Sequence, residues 1–151
     1  MRFLFYDKIE KIEKERSIRG IKSFSLSEEF LRNHFTKTAR VPGVIYIEAM
    51  AQLLGWLIIY SHDFKLSAIM TLIDDVDLPQ SLRPGFKADI YGEIISTSRS
   101  DSLGRAWIEV DGDIIASMKR IIFSHFHKID SRELAKLFYY YSGIEKTAGT
   151  K

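Results

Sequence analysis

Apolar side chains form one nearly unbroken stretch of this chain, Val44 to Tyr60, interrupted by only two strongly polar groups, Glu48 and Gln52. At about 1.5 Å per residue the stretch predicts a helix of about 25 Å, and Pro42 is well placed just before its start. A helix that is apolar on nearly every face must be wrapped by other elements. Residues 8–26 alternate loosely and end in β-formers, which predicts a strand pair or one long bent strand. Ser27 followed by "EEFLRNHF" reads as an N-cap and a short helix with acids in its first turn. Downstream, "LSAIMTLID" and "KADIYGEIIST" predict strands separated by the loop "DDVDLPQSLRPGF". "RAWIEV" and "IIASMKRIIFSHF" flank Asp111-Gly112, a hairpin turn signal. A last helix, residues 131–142, takes Ser131 as cap and Gly143 as stop. The sum is an α+β fold: a long central helix wrapped by an antiparallel sheet, with an extra C-terminal helix. One domain spans 1–151, with its core at about 4–126.

Composition changes this picture little. The 151 residues are 46% apolar and 28% charged, with a formal charge of +2, values of an ordinary soluble globular protein. No cysteine is present, which removes disulfides, thiolate metal sites and cysteine nucleophiles. The N-terminus meets charge too early for a signal peptide, and the 44–60 stretch is short for a membrane span and carries Glu48 and Gln52. The expectation is a cytoplasmic protein that binds neither membrane nor nucleic acid, the charge being weak and unpatterned.

Chemistry enters with Glu48. A carboxylate in an apolar helix is desolvated, which disfavours its charge and lets it keep a proton at neutral pH. Gln52, one turn on, shares its face and can orient it. His34 lies upstream across the Pro42-Gly43 loop and can take a proton near neutral pH. The N–H groups at the helix start, Gly43 and Val44, offer a place for a developing oxyanion. A base, an acid and an oxyanion site suit proton removal beside a carbonyl with loss of a β-hydroxyl.

The segment "HFTKTARVPGVIYIEAMAQ" resembles the motif of the 3-hydroxyacyl-(acyl carrier protein) dehydratases of type II fatty acid synthesis, the FabZ family. The spacings from His34 to Gly43 and to Glu48 both match, and the likeness covers about residues 4–125. The resemblance implies a hotdog fold, paired into homodimers through the sheets and often assembled as trimers of dimers. Each active site would take its histidine and glutamate from different subunits. It implies His34 as base on the α-carbon, Glu48 of the partner chain as acid, the Gly43 amide on the thioester carbonyl, and Gln52 as support. Phe35, Val41, Pro42 and Ile45 would line an apolar acyl tunnel at the dimer interface. Neither metal nor organic cofactor is implied. Glutamate at position 48, where the double-bond-isomerising sister group usually has aspartate, favours dehydration alone.

The chain departs from the family pattern in two regions. "HFTKTA" lacks two prolines and a glycine of the family loop, at Thr36, Lys37 and Ala39. The family's basic loop, thought to meet the acidic carrier, is here "DDVDLPQ", with Asp75 and Asp77 in place of cations. Like charges there weaken an acidic partner's approach. Docking would then move to Lys119, Arg120, Lys128, Arg132 or Lys136, or the thioester would arrive on another carrier such as coenzyme A. Two rivals share the fold: an acyl thioesterase, and an idle acyl-binding subunit. His125 and His127 share a strand face as a metal pair would, but a solvated strand end is the simpler reading. Asp74, Asp75 and Asp77 read as a loop rim, and the aromatic run 138–141 as a helix docking on the sheet or another subunit.

Overall fold

The computed structural model describes residues 3–32, 37–78 and 82–146. Six strands form one antiparallel sheet: β1 (Lys8–Glu13), β2 (Ser17–Phe24), β3 (Ser67–Asp77), β4 (Phe86–Thr97), β5 (Asp101–Val110) and β6 (Asp113–Phe126), in the order β1-β2-β4-β5-β6-β3. The long helix α1 spans Gly43–Ser61 and the C-terminal helix α2 spans Ser131–Ser142. This is the helix wrapped by an antiparallel sheet expected from the pattern, and the hotdog arrangement that the resemblance implies. Residues 8–26 resolve into the strand pair rather than a single bent strand.

The sheet holds α1 by a patch without side chains. A Cβ on Gly104 would stand 2.7 Å from a methyl of Leu54, and one on Gly20 would stand 2.9 Å from a methyl of Leu53. Glycine therefore lets the two leucines sit directly on β5 and β2. Around them Tyr46, Met50, Leu57 and Ile58 are each at most 1% exposed. Long and apolar enough to cross a bilayer, α1 is instead the core helix of the sheet's concave face.

Three boundaries differ from expectation. The helix after Ser27 is a single 3-10 turn, Glu29–Leu31, preceded by an extended Glu28 (φ −59°, ψ 133°) with no side-chain cap. The Ser27 hydroxyl pairs with Ser25 instead, and the Glu28 carboxylate is held by Lys22 at 2.9 Å. Second, Asp74–Asp77 belong to β3 rather than to a loop: Val76 and Asp77 continue the ladder opposite Met118 and Ser117. Aspartate is disfavoured in strands, but Arg120 lies 3.5 Å from Asp74 and Lys119 lies 3.9 Å from Asp75, so cross-strand charge supports the extension. Third, Asp130 rather than Ser131 caps α2, accepting from the N–H groups of Arg132 and Glu133. The other two turns follow expectation. Asp111 (φ 52°) and Gly112 (φ 84°) close the β5–β6 hairpin, both left-handed as a two-residue turn of this kind requires, and Gly143 ends α2 at φ 71°.

Helix α2 docks against β1 of the sheet and, through Phe138, against the side chains of α1. Phe138, with 0% exposure, packs its ring 5.5 Å from Trp56, 5.4 Å from Tyr60 and 5.3 Å from Phe64. It seals the end of α1 that the sheet leaves open.

Candidate active site

Helix α1 starts behind Pro42, which caps it with extended backbone and no side-chain hydrogen bond. The first N–H groups of any helix lack intrahelical acceptors and carry the positive end of its dipole. Gly43 and Val44 are those first residues; Val44 is 67% exposed. Leu78, just past β3, packs on this turn, and a Cβ on Gly43 would press it at 3.0 Å.

One turn further on, half-buried Glu48 opens onto a groove of about 680 Å³. Residues 3–5 wall one side, Ser27–Phe30 wall the other, and Val44 and Ile45 complete the floor. Gln52 meets Glu48 one turn on: the amide Nε2 donates to Glu48 Oε1 at 3.0 Å. The same Nε2 donates to the Phe3 carbonyl at 2.7 Å, and Gln52 Oε1 accepts from the Phe5 N–H at 2.9 Å.

Both walls are tied together by Lys22, whose side chain is only 9% exposed. Its ammonium donates to Glu28 at 2.9 Å and to Asp7 at 3.4 Å. Asp7 in turn accepts from the Ser23 N–H at 2.7 Å. A buried cation with a single partner removed is costly, so this clamp fixes the 3-10 turn and the N-terminal segment relative to β2. Lys22, Glu28 and the segment 3–5 were not singled out in the sequence; the one available signal was the apolar run "FLF" beside a charged strand.

The other expected site residues fall in different places. Ile45 lines the groove, whereas Val41 is fully buried in the core with its N–H on the Leu82 carbonyl, and Pro42 is half-buried. His34 and Phe35 lie outside the described residues. Two buried tyrosines near α1 remain protonated: burial pushes Tyr6 up to about 12 and raises Tyr46 as well. Neither is suited to act as a base at neutral pH.

The His125–His127 pair is not a plain solvated strand end. His125 is half-buried, its Nε2 is 2.8 Å from the Ser102 hydroxyl and its Nδ1 is 3.2 Å from the Arg99 carbonyl. His62 packs against it at 4.9 Å, and burial lowers the His125 pKa. Among the described residues no cluster of three histidine, aspartate or glutamate side chains is arranged to hold a metal.

The model of the FabA-like domain matches residues 1–119. The 3-hydroxyacyl-[acyl-carrier-protein] dehydratase FabZ of Caldicellulosiruptor bescii is 32% identical over 114 residues, covering 75% of this chain and 81% of its own length. The enzyme of the same name from Bacillus subtilis is 29% identical over 119 residues, covering 78% and 84%. Among solved structures, a Streptococcus mutans protein bound to acetyl CoA superposes with a TM-score of 0.65 at 13% identity, over 85% of this chain and 95% of that one. A hypothetical thioesterase with coenzyme A from Streptococcus pneumoniae gives 0.62 at 13%, over 81% and 88%. At such identities the structures speak for the fold alone. The domain match covers most of the chain and includes the whole of α1 and its groove, so this protein belongs to the FabA-like family.

Proposed function

We propose that the protein dehydrates (3R)-3-hydroxyacyl thioesters to trans-2-enoyl thioesters. The observation that carries this reading is Glu48, held by Gln52 on a groove at the N-terminal end of α1, in a chain about 30% identical to dehydratases over three-quarters of its length. His34 removes the α-proton, and the electron pair passes toward the thioester carbonyl, whose oxygen meets the Gly43 and Val44 N–H groups. As the α,β double bond forms, the β-carbon–oxygen bond breaks. Glu48 gives its proton to the departing hydroxyl, which leaves as water. A positioned acid or base of this kind contributes about 10²- to 10⁴-fold, and oxyanion donors about 10²- to 10³-fold each.

The reading extends to a homodimer in which each site combines His34 of one chain with Glu48 of the other. The two sheet edges support it by their contrast. β1 is charged along its length, "KIEKIE", whereas β3 leaves Ile69, Leu72, Ile73 and Val76 between 37% and 53% exposed. An apolar, long edge strand is a template for pairing with another chain, and charge protects an edge against it. Three such dimers would make the hexamer. The thioester travels on acyl carrier protein or coenzyme A, in the cytoplasm. Lys119 and Arg120 face Asp75 and Asp74, and Lys136 faces Glu133, which leaves Lys128 and Arg132 as the carrier-docking cations.

Enoyl-thioester absorbance with 3-hydroxyacyl substrates on both carriers tests the reaction; release of free acid instead of enoyl product would overturn it in favour of hydrolysis. Mixing inactive His34→Ala and Glu48→Gln proteins tests the shared site. After subunit exchange, heterodimers of twofold symmetry hold one intact site each, and about a quarter of wild-type activity returns. No recovery, with exchange verified, means that each chain completes its own site.

A further inference from the structure

We infer that the N-terminal segment Phe3–Phe5 is part of the acid's machinery: its backbone sets the orientation of the Gln52 amide and thereby decides which oxygen of Glu48 delivers the proton. The inference rests on the dehydration reading for its consequence, but its geometry stands on three hydrogen bonds.

The end of a glutamine side chain can be turned by half a rotation, exchanging its oxygen and nitrogen, and only its partners decide between the two. Here the partners leave no choice. A backbone N–H can only donate and a backbone carbonyl can only accept. Phe5 N–H therefore requires Oε1, at 2.9 Å, and the Phe3 carbonyl requires Nε2, at 2.7 Å. With the amide so placed, the second Nε2 hydrogen points to Glu48 Oε1, at 3.0 Å. Turned over, the amide would set its one oxygen against the Phe3 carbonyl, while its nitrogen faced the Phe5 N–H. Both backbone contacts would become repulsive.

The consequence falls on the proton. An oxygen already accepting from the amide is the poorer place for the carboxyl hydrogen, because that hydrogen and the amide's would crowd one atom. When Glu48 carries the proton it gives up in the reaction, that proton therefore resides on Oε2, the oxygen left for the substrate's hydroxyl, and the donor-filled Oε1 steadies the carboxylate once the proton has gone. Residues 3–5 contribute no titratable group of their own. The other charged side chains on this groove, among those described, are Glu28 and Glu29, and Glu28 is engaged with Lys22. Among the described residues, Gln52 is the group whose hydrogen bond distinguishes the two oxygens of Glu48. Segment 3–5 and Gln52 are thus positioning elements, acting through Glu48.

The test separates the loss of one N–H from the loss of one ring. Phe5→Ala keeps the N–H, while Phe5→Pro removes it. Both lose the ring from the groove wall, so both change KM alike. Phe5→Pro should fall further in kcat, by roughly tenfold, and that extra loss should vanish in a Gln52→Ala background, because the amide it orients is gone. Equal kcat values for the two Phe5 variants, or an extra loss that persists without Gln52, would overturn the inference. NMR of the Gln52 side-chain amide supplies a reading that needs no turnover. In Phe5→Ala its two protons should stay distinct and slow to exchange with solvent; in Phe5→Pro they should lose that protection. Retained protection would also overturn it. Should the wild type turn over no 3-hydroxyacyl thioester, the dehydration reading fails, and the amide signals still decide this one.

Discussion

The two ends of α1 are built from the same apolar sequence and treated in opposite ways. At the C-terminal end, Trp56, Tyr60 and Phe64 are sealed by Phe138 of α2, with ring centroids 5.3 to 5.5 Å apart. At the N-terminal end, Val44 and Ile45 border an open groove, and the polar pair Glu48–Gln52 is held by hydrogen bonds rather than by packing. The first arrangement stabilises the fold; the second leaves surface unburied beside a carboxyl group. An apolar helix end without a cover costs stability unless something else occupies it, and under the proposed function an acyl chain is that occupant. Helix α2, at residues 131–142, lies beyond the FabA-like match at 1–119. Among the described residues, α2 closes one end of the central helix and a groove lies at the other.

That contrast breaks most sharply at Glu48. Glu48→Gln should lower kcat about thousandfold, about 4 kcal/mol of transition-state stabilisation, and leave the melting temperature unchanged. A large fall in stability would mean that the groove end, too, is structural. Phe138→Ala should do the reverse. Truncating a fully buried phenylalanine costs about 3–5 kcal/mol and lowers the midpoint by roughly 10 °C, while kcat of the folded protein holds. Loss of kcat without loss of stability would place α2 in the reaction. A smaller effect is expected from Asp130→Ala, which removes the cap of α2 and costs about 1 kcal/mol, read by denaturant unfolding with groove chemistry intact.

The smallest effect concerns the histidine beside the sealed end. Burial holds the folded pKa of His125 below its ordinary 6.5. Between the two values the unfolded chain binds more protons than the folded one, so stability rises with pH there. The contribution is complete above 6.5 and declines as pH falls through that window. Melting curves from pH 7.5 to 5 should show the decline, and His125→Gln should flatten it. An unchanged slope would remove His125 from the account.

Much of this architecture was legible because it depends on local rules. The 44–60 run could only be a core helix, Asp111-Gly112 could only be a tight turn, and helix 131–142 ends on a left-handed glycine as its pattern implied. The misses come from charged side chains answering partners that the apolar pattern does not register, remote in one case and near in two. Three aspartates join β3 because Lys119 and Arg120 stand across from two of them. The helix expected after Ser27 shrinks to one turn where Lys22, six residues upstream on β2, holds the extended Glu28. In the candidate site the Glu48–Gln52 pair was readable from its four-residue spacing, since a helix puts such residues on one face.

The sequence by itself determined the central helix, the strands that wrap it, and the presence of an acid with its amide neighbour on one helical face. These follow from periodicity and spacing, which act over a turn or two of chain. Only the tertiary structure decided which end of α1 is closed, what walls the groove, and how the Gln52 amide is turned. Phe138 meets Trp56 across 82 positions, and Phe5 meets Gln52 across 47. Contacts over such separations depend on how the whole sheet carries the segments together, and no local preference encodes them.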